Sequence, residues 1–192
     1  MTYRHVALLG RARSGKDSIA GRLVERFAFT RVAFADSLKR AALDLDPIIG
    51  AQPLGMATLP IRLSEVIGRY GWERCKAEYP EVRRTLQRLG EGVRQGDADH
   101  WLRLALAKVD TADRWNLPVV VSDVRYANEL AALRSRGALV VRVERPGAGA
   151  GGEAEHHVSE TELDHAPVDV TVPNSGTLQD LYALADTLAV RR

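Results

Sequence analysis

Three observations predict an α/β fold, three layers deep, with helices on both faces of a central five-stranded parallel sheet. Short apolar runs alternate with amphipathic stretches along the chain. The first run, Val6-Ala7-Leu8-Leu9, leads straight into Gly10-Arg11-Ala12-Arg13-Ser14-Gly15-Lys16-Asp17 and then a helical pattern. A later run, Pro118 to Val121, is apolar at every position and ends on Ser122-Asp123, as a strand buried on both faces does.

In chain order, Tyr3 to Leu9 reads as the first strand, and Gly15 to Phe27 as a helix with Ile19, Leu23, Val24 and Phe27 on one face. Phe29 to Phe34 reads as the second strand. Asp36 or Ser37 then caps a helix carrying Leu38, Ala41, Ala42 and Leu45. Pro47 ends it, and Gly50, Pro53, Gly55 and Pro60 mark Ile48 to Pro60 as loop. Three helical patterns follow: Arg62 to Lys76, interrupted by Gly68 and Gly71; Glu81 to Gly90; and Asp99 to Thr111. The middle third is thus expected to be helix and loop alone. Strand 118–123, helix 127–136, strand 139–144, a small-residue loop 146–157, strand 168–172 and an amphipathic helix 177–190 complete the chain. The expected organisation is one domain: a core of 1–46 and 112–192 with a lid at about 146–160, and a helical lobe at 47–111.

Gly10 and Gly15-Lys16 have the spacing of a phosphate-binding loop, G-x-x-x-x-G-K. Between strand and helix, such a loop turns its backbone N–H groups toward one anion, and the helix N-terminus adds to the field. Lys16 supplies a mobile point charge. The position after the lysine, commonly Ser or Thr with a hydroxyl for Mg²⁺, holds Asp17, with Ser18 next. A carboxylate is also a hard oxygen ligand, acting directly or through water. Asp123 stands where a second metal-binding acid is expected; it could equally cap the helix after it.

Ligands of parallel sheets bind beyond the carboxyl ends of the strands. One crevice is therefore expected to collect Lys16, Asp17, Asp36, Lys39, Asp123, Arg125, Glu129, Arg142 and Arg145. Asn128 and Glu129 could hold Arg125 or a ligand, or serve as first-turn helix residues. Arg83, Arg84, Gln87 and Arg88 lie on one helix, with Arg84 and Gln87 on a shared face, where Gln can both donate to and accept from a base edge. The Gly147, Gly149, Gly152 pattern reads as a closing lid and not a dinucleotide site, because the polar Glu153 to His157 follows it. His157-x-Ser159-Glu160 reads as its anchor.

Composition excludes several classes. Cys75 is alone, so neither a disulfide framework nor a thiolate metal site is expected, and the pair His156-His157 has no second cluster. No apolar run approaches the ~18 residues of a membrane span, and no charged leader opens the chain. A net charge of +2 argues neither for nor against nucleic acid. Basic residues are nearly all Arg, which suits phosphate but also follows from codon composition.

Six segments together resemble the bacteriophage-type deoxynucleoside monophosphate kinases: Gly10 to Asp17, Phe34-Ala-Asp-Ser-Leu-Lys39, Arg84-Thr-Leu-Gln-Arg-Leu-Gly90, Ser122-Asp-Val-Arg-Tyr-Ala-Asn-Glu129, His157-Val-Ser-Glu160 and Asn174-Ser-Gly-Thr177. The resemblance implies a nucleoside monophosphate kinase fold around the phosphate loop, with a helical acceptor lobe and a lid. It implies transfer of the γ-phosphoryl of ATP to a deoxynucleoside monophosphate, with Mg²⁺. By that resemblance Gly10 and Arg13 to Ser18 hold the ATP phosphates and metal, and Asn174 and Gly176 lie near adenine. Asp36, Ser37, Lys39, Arg84, Gln87, Arg88, Asp123, Arg125 and Glu129 surround the acceptor, and Asp17 and Asp123 position the metal. Of the expected catalytic residues, Lys16 holds the β- and γ-phosphates, Arg13, Arg125 and a lid arginine (Arg142 or Arg145) bridge donor and acceptor, and Asp123 acts through the metal. The expected partners are small nucleotides, not nucleic acid or membrane, in the cytoplasm (the host's if phage-encoded), with a homodimer left open. A dephospho-coenzyme A kinase or a regulatory or motor ATPase shares the loop; a GTPase does not fit, since no Asn-Lys-x-Asp is present.

Overall fold

Val6–Leu9 forms β1, with all four residues buried, and Lys16–Phe27 forms α1 immediately behind the loop. The computed structural model describes residues 3–149 and 161–192. After α1 come β2 (Thr30–Val32), α2 (Phe34–Leu45), β3 (Ile48–Leu54), β4 (Ala57–Arg62), α3 (Leu63–Glu78), α4 (Pro80–Gly96) and α5 (His100–Arg114). Then follow β5 (Val119–Val121), α6 (Ala127–Ser135), β6 (Leu139–Glu144), β7 (Val170–Pro173) and α7 (Leu178–Thr187). The expected lid, 146–160, and its histidines lie mostly outside the described residues.

Five parallel strands form one sheet in the order β2-β5-β1-β6-β7. The chain leaves β1 toward β2 on one side and later returns to fill β6 and β7 on the other, so β1 is the topological switch point. Alternation along the strands splits the core in two. Ala7, Leu9, Val119, Val121 and Val140 pack on α5 and α6 through Leu102, Ala105, Val109, Leu130 and Leu133. Val6, Leu8, Val120, Val141 and Val143 pack on α1 and α7 through Ile19, Ala20, Leu23, Leu181 and Ala185. This is the three-layer α/β fold with its parallel five-stranded sheet.

By its contacts the chain divides into two units, the amino-terminal residues to Phe34 with Leu102–Arg192, and Ala35–Trp101. The second unit has its own core of Ala42, Ile49, Leu63, Val66, Cys75 and Val82. Within it α2 and α4 meet closely at Gly90, where a Cβ would lie 3.2 Å from Leu38 Cδ2, and Trp101 Nε1 donates to Gly90 O at 3.2 Å. Trp101 is therefore a core residue.

Three expectations are corrected. Residues 48–60 are not loop: β3 and β4 form an antiparallel hairpin, Leu54 pairing with Ala57 across Gly55-Met56, with Gly55 at φ +59. In such a ladder, hydrogen-bonded and open pairs alternate outward from the turn. Pro53 (opposite Thr58) and Pro60 (opposite Ala51) fall at the open pairs, so neither costs a ladder bond. The second correction is to the cap of α2: it begins at Phe34, leaving Asp36 and Ser37 inside its first turn. Phe34 N–H instead donates to Asp123 Oδ1 at 2.9 Å, a cap supplied by the end of β5. The third concerns strand length, since β1 and β2 are shorter than predicted; Tyr3 makes only an isolated bridge to Arg191. Of the two glycines expected to interrupt the helix at 62–76, Gly71 alone breaks it, at φ +75 and ψ 164.

His5, 1% exposed, carries a stability prediction. Its Nδ1 accepts the Val119 N–H at 3.0 Å, which leaves Nε2 to donate to Asp113 Oδ1 at 3.0 Å. Burial, which strips water from the charged ring, holds its pKa below 6.5 despite the opposing pull of Asp113. Below pH 6.5 the unfolded chain takes up the proton first, so stability falls as pH drops from about 6.5 toward the lowered folded value. Thermal melts between pH 7.5 and 5 should show this fall, and His5→Asn, whose amide oxygen can replace Nδ1, should flatten it.

Candidate active site

The loop after β1 owes its shape to two glycines. At Gly10 (φ +133) a Cβ would lie 2.4 Å from Val143 O, and at Gly15 (φ +106) 2.5 Å from Asn174 Nδ2. Arg13 between them also takes a left-handed conformation, φ +63. Gly15 is the N-cap of α1 and offers no side chain to the helix's first amides, which remain receptive to an anion. Lys16 Nζ folds back over the loop and donates to Gly10 O and Arg11 O, each at 2.7 Å. The loop's own carbonyls thereby hold the ammonium at its mouth. Ser14 is 1% exposed, and its carbonyl accepts from Asn174 Nδ2 at 2.8 Å.

Beside the loop lies a cleft of about 180 Å³ at the carboxyl ends of β1, β5 and β6. Gly10, Arg11 and Ser14 line one wall, Val124 and Arg125 another, and Arg142 to Arg145 the third, with Leu163 and Asp164 closing it. Arg11 Nη2 meets Asp164 Oδ2 at 2.9 Å. Of the residues predicted for the crevice, Arg125, Arg142 and Arg145 line this cleft, joined by Gly10 and Ser14 of the predicted phosphate loop, and Lys16 bonds to the loop wall.

Several predicted residues have structural partners. Arg142 lines the cleft and also anchors the segment beside it, since Nη2 donates to Leu163 O at 2.8 Å and Ala166 O at 2.7 Å. Glu129, 3% exposed, accepts from Arg125 N–H at 2.9 Å and Tyr126 N–H at 3.2 Å. It thus fixes the backbone that carries Arg125. Asp123 caps α2 and not the helix after it. Asp17 is 84% exposed and meets Arg31 Nη2 at 3.5 Å. Thr177 and Asp180 form a capping box on α7, with a Cβ at Gly176 only 2.7 Å from Asp180 Oδ2.

The predicted acceptor residues Asp36, Ser37, Lys39, Arg84, Gln87 and Arg88 belong to the second unit. There Asp36 and Ser37 sit in the first turn of α2, and Lys39 Nζ lies 5.7 Å from the centre of the Trp72 ring. Arg84 and Arg88 both reach Glu81, each at 3.4 Å. Sequence reasoning missed Asp164 and Glu162, whose Oε1 accepts the Ala127 N–H at 2.7 Å. Neither lies in a periodic segment that could have signalled it.

The family model described as deoxynucleotide monophosphate kinase matches residues 72–184. The chain belongs to that family. The match begins after the phosphate loop, so the loop's own geometry is independent support for the same class of chemistry. A protein of Acanthamoeba polyphaga mimivirus is 25% identical over 191 residues, covering 93% of this chain and 92% of its own length. The deoxynucleotide monophosphate kinase of Enterobacteria phage T4 is 31% identical over 113 residues, 57% of this chain and 46% of that protein. That of Escherichia phage RB69 is 31% identical over 105 residues, 53% and 42% respectively. Among solved structures, the APS kinase CysC of Mycobacterium tuberculosis aligns over 97% of both chains at 13% identity and a TM-score of 0.38, too distant to bear on the fold. No helix among the described residues is long and apolar enough to cross a membrane.

Proposed function

We propose that the protein transfers the γ-phosphoryl group of ATP to a deoxynucleoside monophosphate, giving ADP and a deoxynucleoside diphosphate. The observation that carries this reading is a phosphate loop opening on a cleft lined by Arg11, Arg125 and Arg145, in a chain of this family. An acceptor phosphate has a second pKa near ~6 and is already largely ionised at pH 7, so no strong base is needed. What opposes reaction is the repulsion between two polyanions, and fixed cations lower it.

In this reading the loop amides and α1 N-terminus hold the ATP phosphates. Lys16 exchanges its carbonyl partners for β- and γ-phosphate oxygens and follows the phosphoryl group. Arg125, whose backbone Glu129 clamps, and Arg145 face the transferring group, with Arg13 at the outer rim. Asp36, Ser37, Lys39, Arg84, Gln87 and Arg88 serve the acceptor. Asp17 fits a magnesium ion, being a hard oxygen ligand open to solvent at the start of α1, and Asp123 can add a second carboxylate. When bound, the ion neutralises charge on the β- and γ-phosphates.

ADP release from Mg·ATP, measured against the four deoxy and four ribo monophosphates, tests the reading. Conversion of at least one deoxy monophosphate is expected, with little ADP in the absence of acceptor. Conversion of dephospho-coenzyme A alone, or rapid acceptor-free hydrolysis, would overturn it.

A further inference from the structure

One buried hydroxyl has no use in the scheme above. Ser122 is 2% exposed, and its Oγ has no hydrogen-bond partner among the described residues. A hydroxyl buried in that way is costly, and most such groups in native proteins meet a partner. Resting on the kinase reading, we infer that Ser122 Oγ is a ligand of the divalent cation that accompanies ATP, in place of the hydroxyl that the phosphate loop lacks after Lys16.

Position supports the assignment. Ser122 is the first residue past β5, at the edge of the sheet where the phosphate loop lies. Val119 and Val121 face α5 and α6, and Val120 faces α1 and α7. Continued alternation turns Ser122 to the α1 side. On neighbouring β2, Arg31 is in register with Val120 and reaches Asp17 in the first turn of α1. The start of α1, with the carboxylate that replaced the usual hydroxyl, therefore overlies the same side of the sheet that Ser122 faces. Asp123 follows directly. A neutral hydroxyl oxygen suits magnesium, which takes few protein ligands and completes its shell with phosphate oxygens and water.

The test is binding, not turnover. Mn²⁺ is titrated by electron paramagnetic resonance into the protein with ATP and no acceptor, using wild type, Ser122→Ala and Ser122→Cys. Ser122→Ala should weaken Mn²⁺ at least about fivefold, leave ATP affinity in EDTA within about twofold, and leave the melting temperature of the free protein equal or higher. Ser122→Cys should raise the preference for Cd²⁺ over Mn²⁺ about tenfold, since a thiolate is a soft ligand; it carries the test if Ser122→Ala fails to fold. Unchanged Mn²⁺ affinity in Ser122→Ala, parallel loss of metal-free ATP binding, or an unshifted Cd²⁺ preference would overturn the assignment and leave the kinase reading standing. A wild-type ATP complex that takes up no Mn²⁺ would overturn both.

Discussion

Lys16→Ala should lower kcat by about three orders of magnitude, equivalent to roughly 4 kcal/mol of transition-state stabilisation. The ammonium already folds over the phosphate loop, held by Gly10 O and Arg11 O. Those carbonyls border an open cleft, so water can replace the lost donor, and the melting temperature should stay within about 2 °C of wild type. Rapid quench with pre-bound ATP and acceptor separates chemistry from binding. If single-turnover rates are near normal, Lys16 has no part in transfer; if the melt collapses, its role is structural.

Much of this was legible in the sequence because it is local. The order and type of the five parallel strands, the turn at Gly10 to Lys16 and the start of α1 follow from apolar runs and glycine spacing. What escaped had partners distant in the chain. The cap of α2 comes from Asp123, 89 residues away, so Asp36 and Ser37 looked like caps by default. Arg142 and Arg145 have the same charge and both line the cleft, and only the carbonyls of Leu163 and Ala166 give Arg142 its second role as an anchor. The β3–β4 hairpin hid behind its prolines, since their tolerance depends on which ladder positions they occupy. Asn174 was expected near adenine through resemblance; that its amide also donates to the Ser14 carbonyl, 160 residues away, could not be read from the sequence.

Gly10→Ala and Gly21→Ala should act in opposite directions, although both replace a glycine in or next to the same loop–helix unit. Gly21 lies within α1, and a Cβ there would meet nothing within 4 Å. Alanine at this position favours helix by about 0.5–1 kcal/mol and should raise the melting temperature by about 2 °C. At Gly10 the new Cβ would lie 2.4 Å from the Val143 carbonyl, backbone of a central strand that cannot step aside, at a φ that L-residues avoid. The expected cost is about 2–4 kcal/mol, a drop of roughly 5–10 °C, unless the loop itself shifts. A shifted loop would misaim the amides, so ATP affinity should fall about a hundredfold even where the protein stays folded. Calorimetry and ATP titration on the two variants distinguish these outcomes. An unperturbed Gly10→Ala protein would mean that the close approach of loop to β6 does not shape the phosphate cradle.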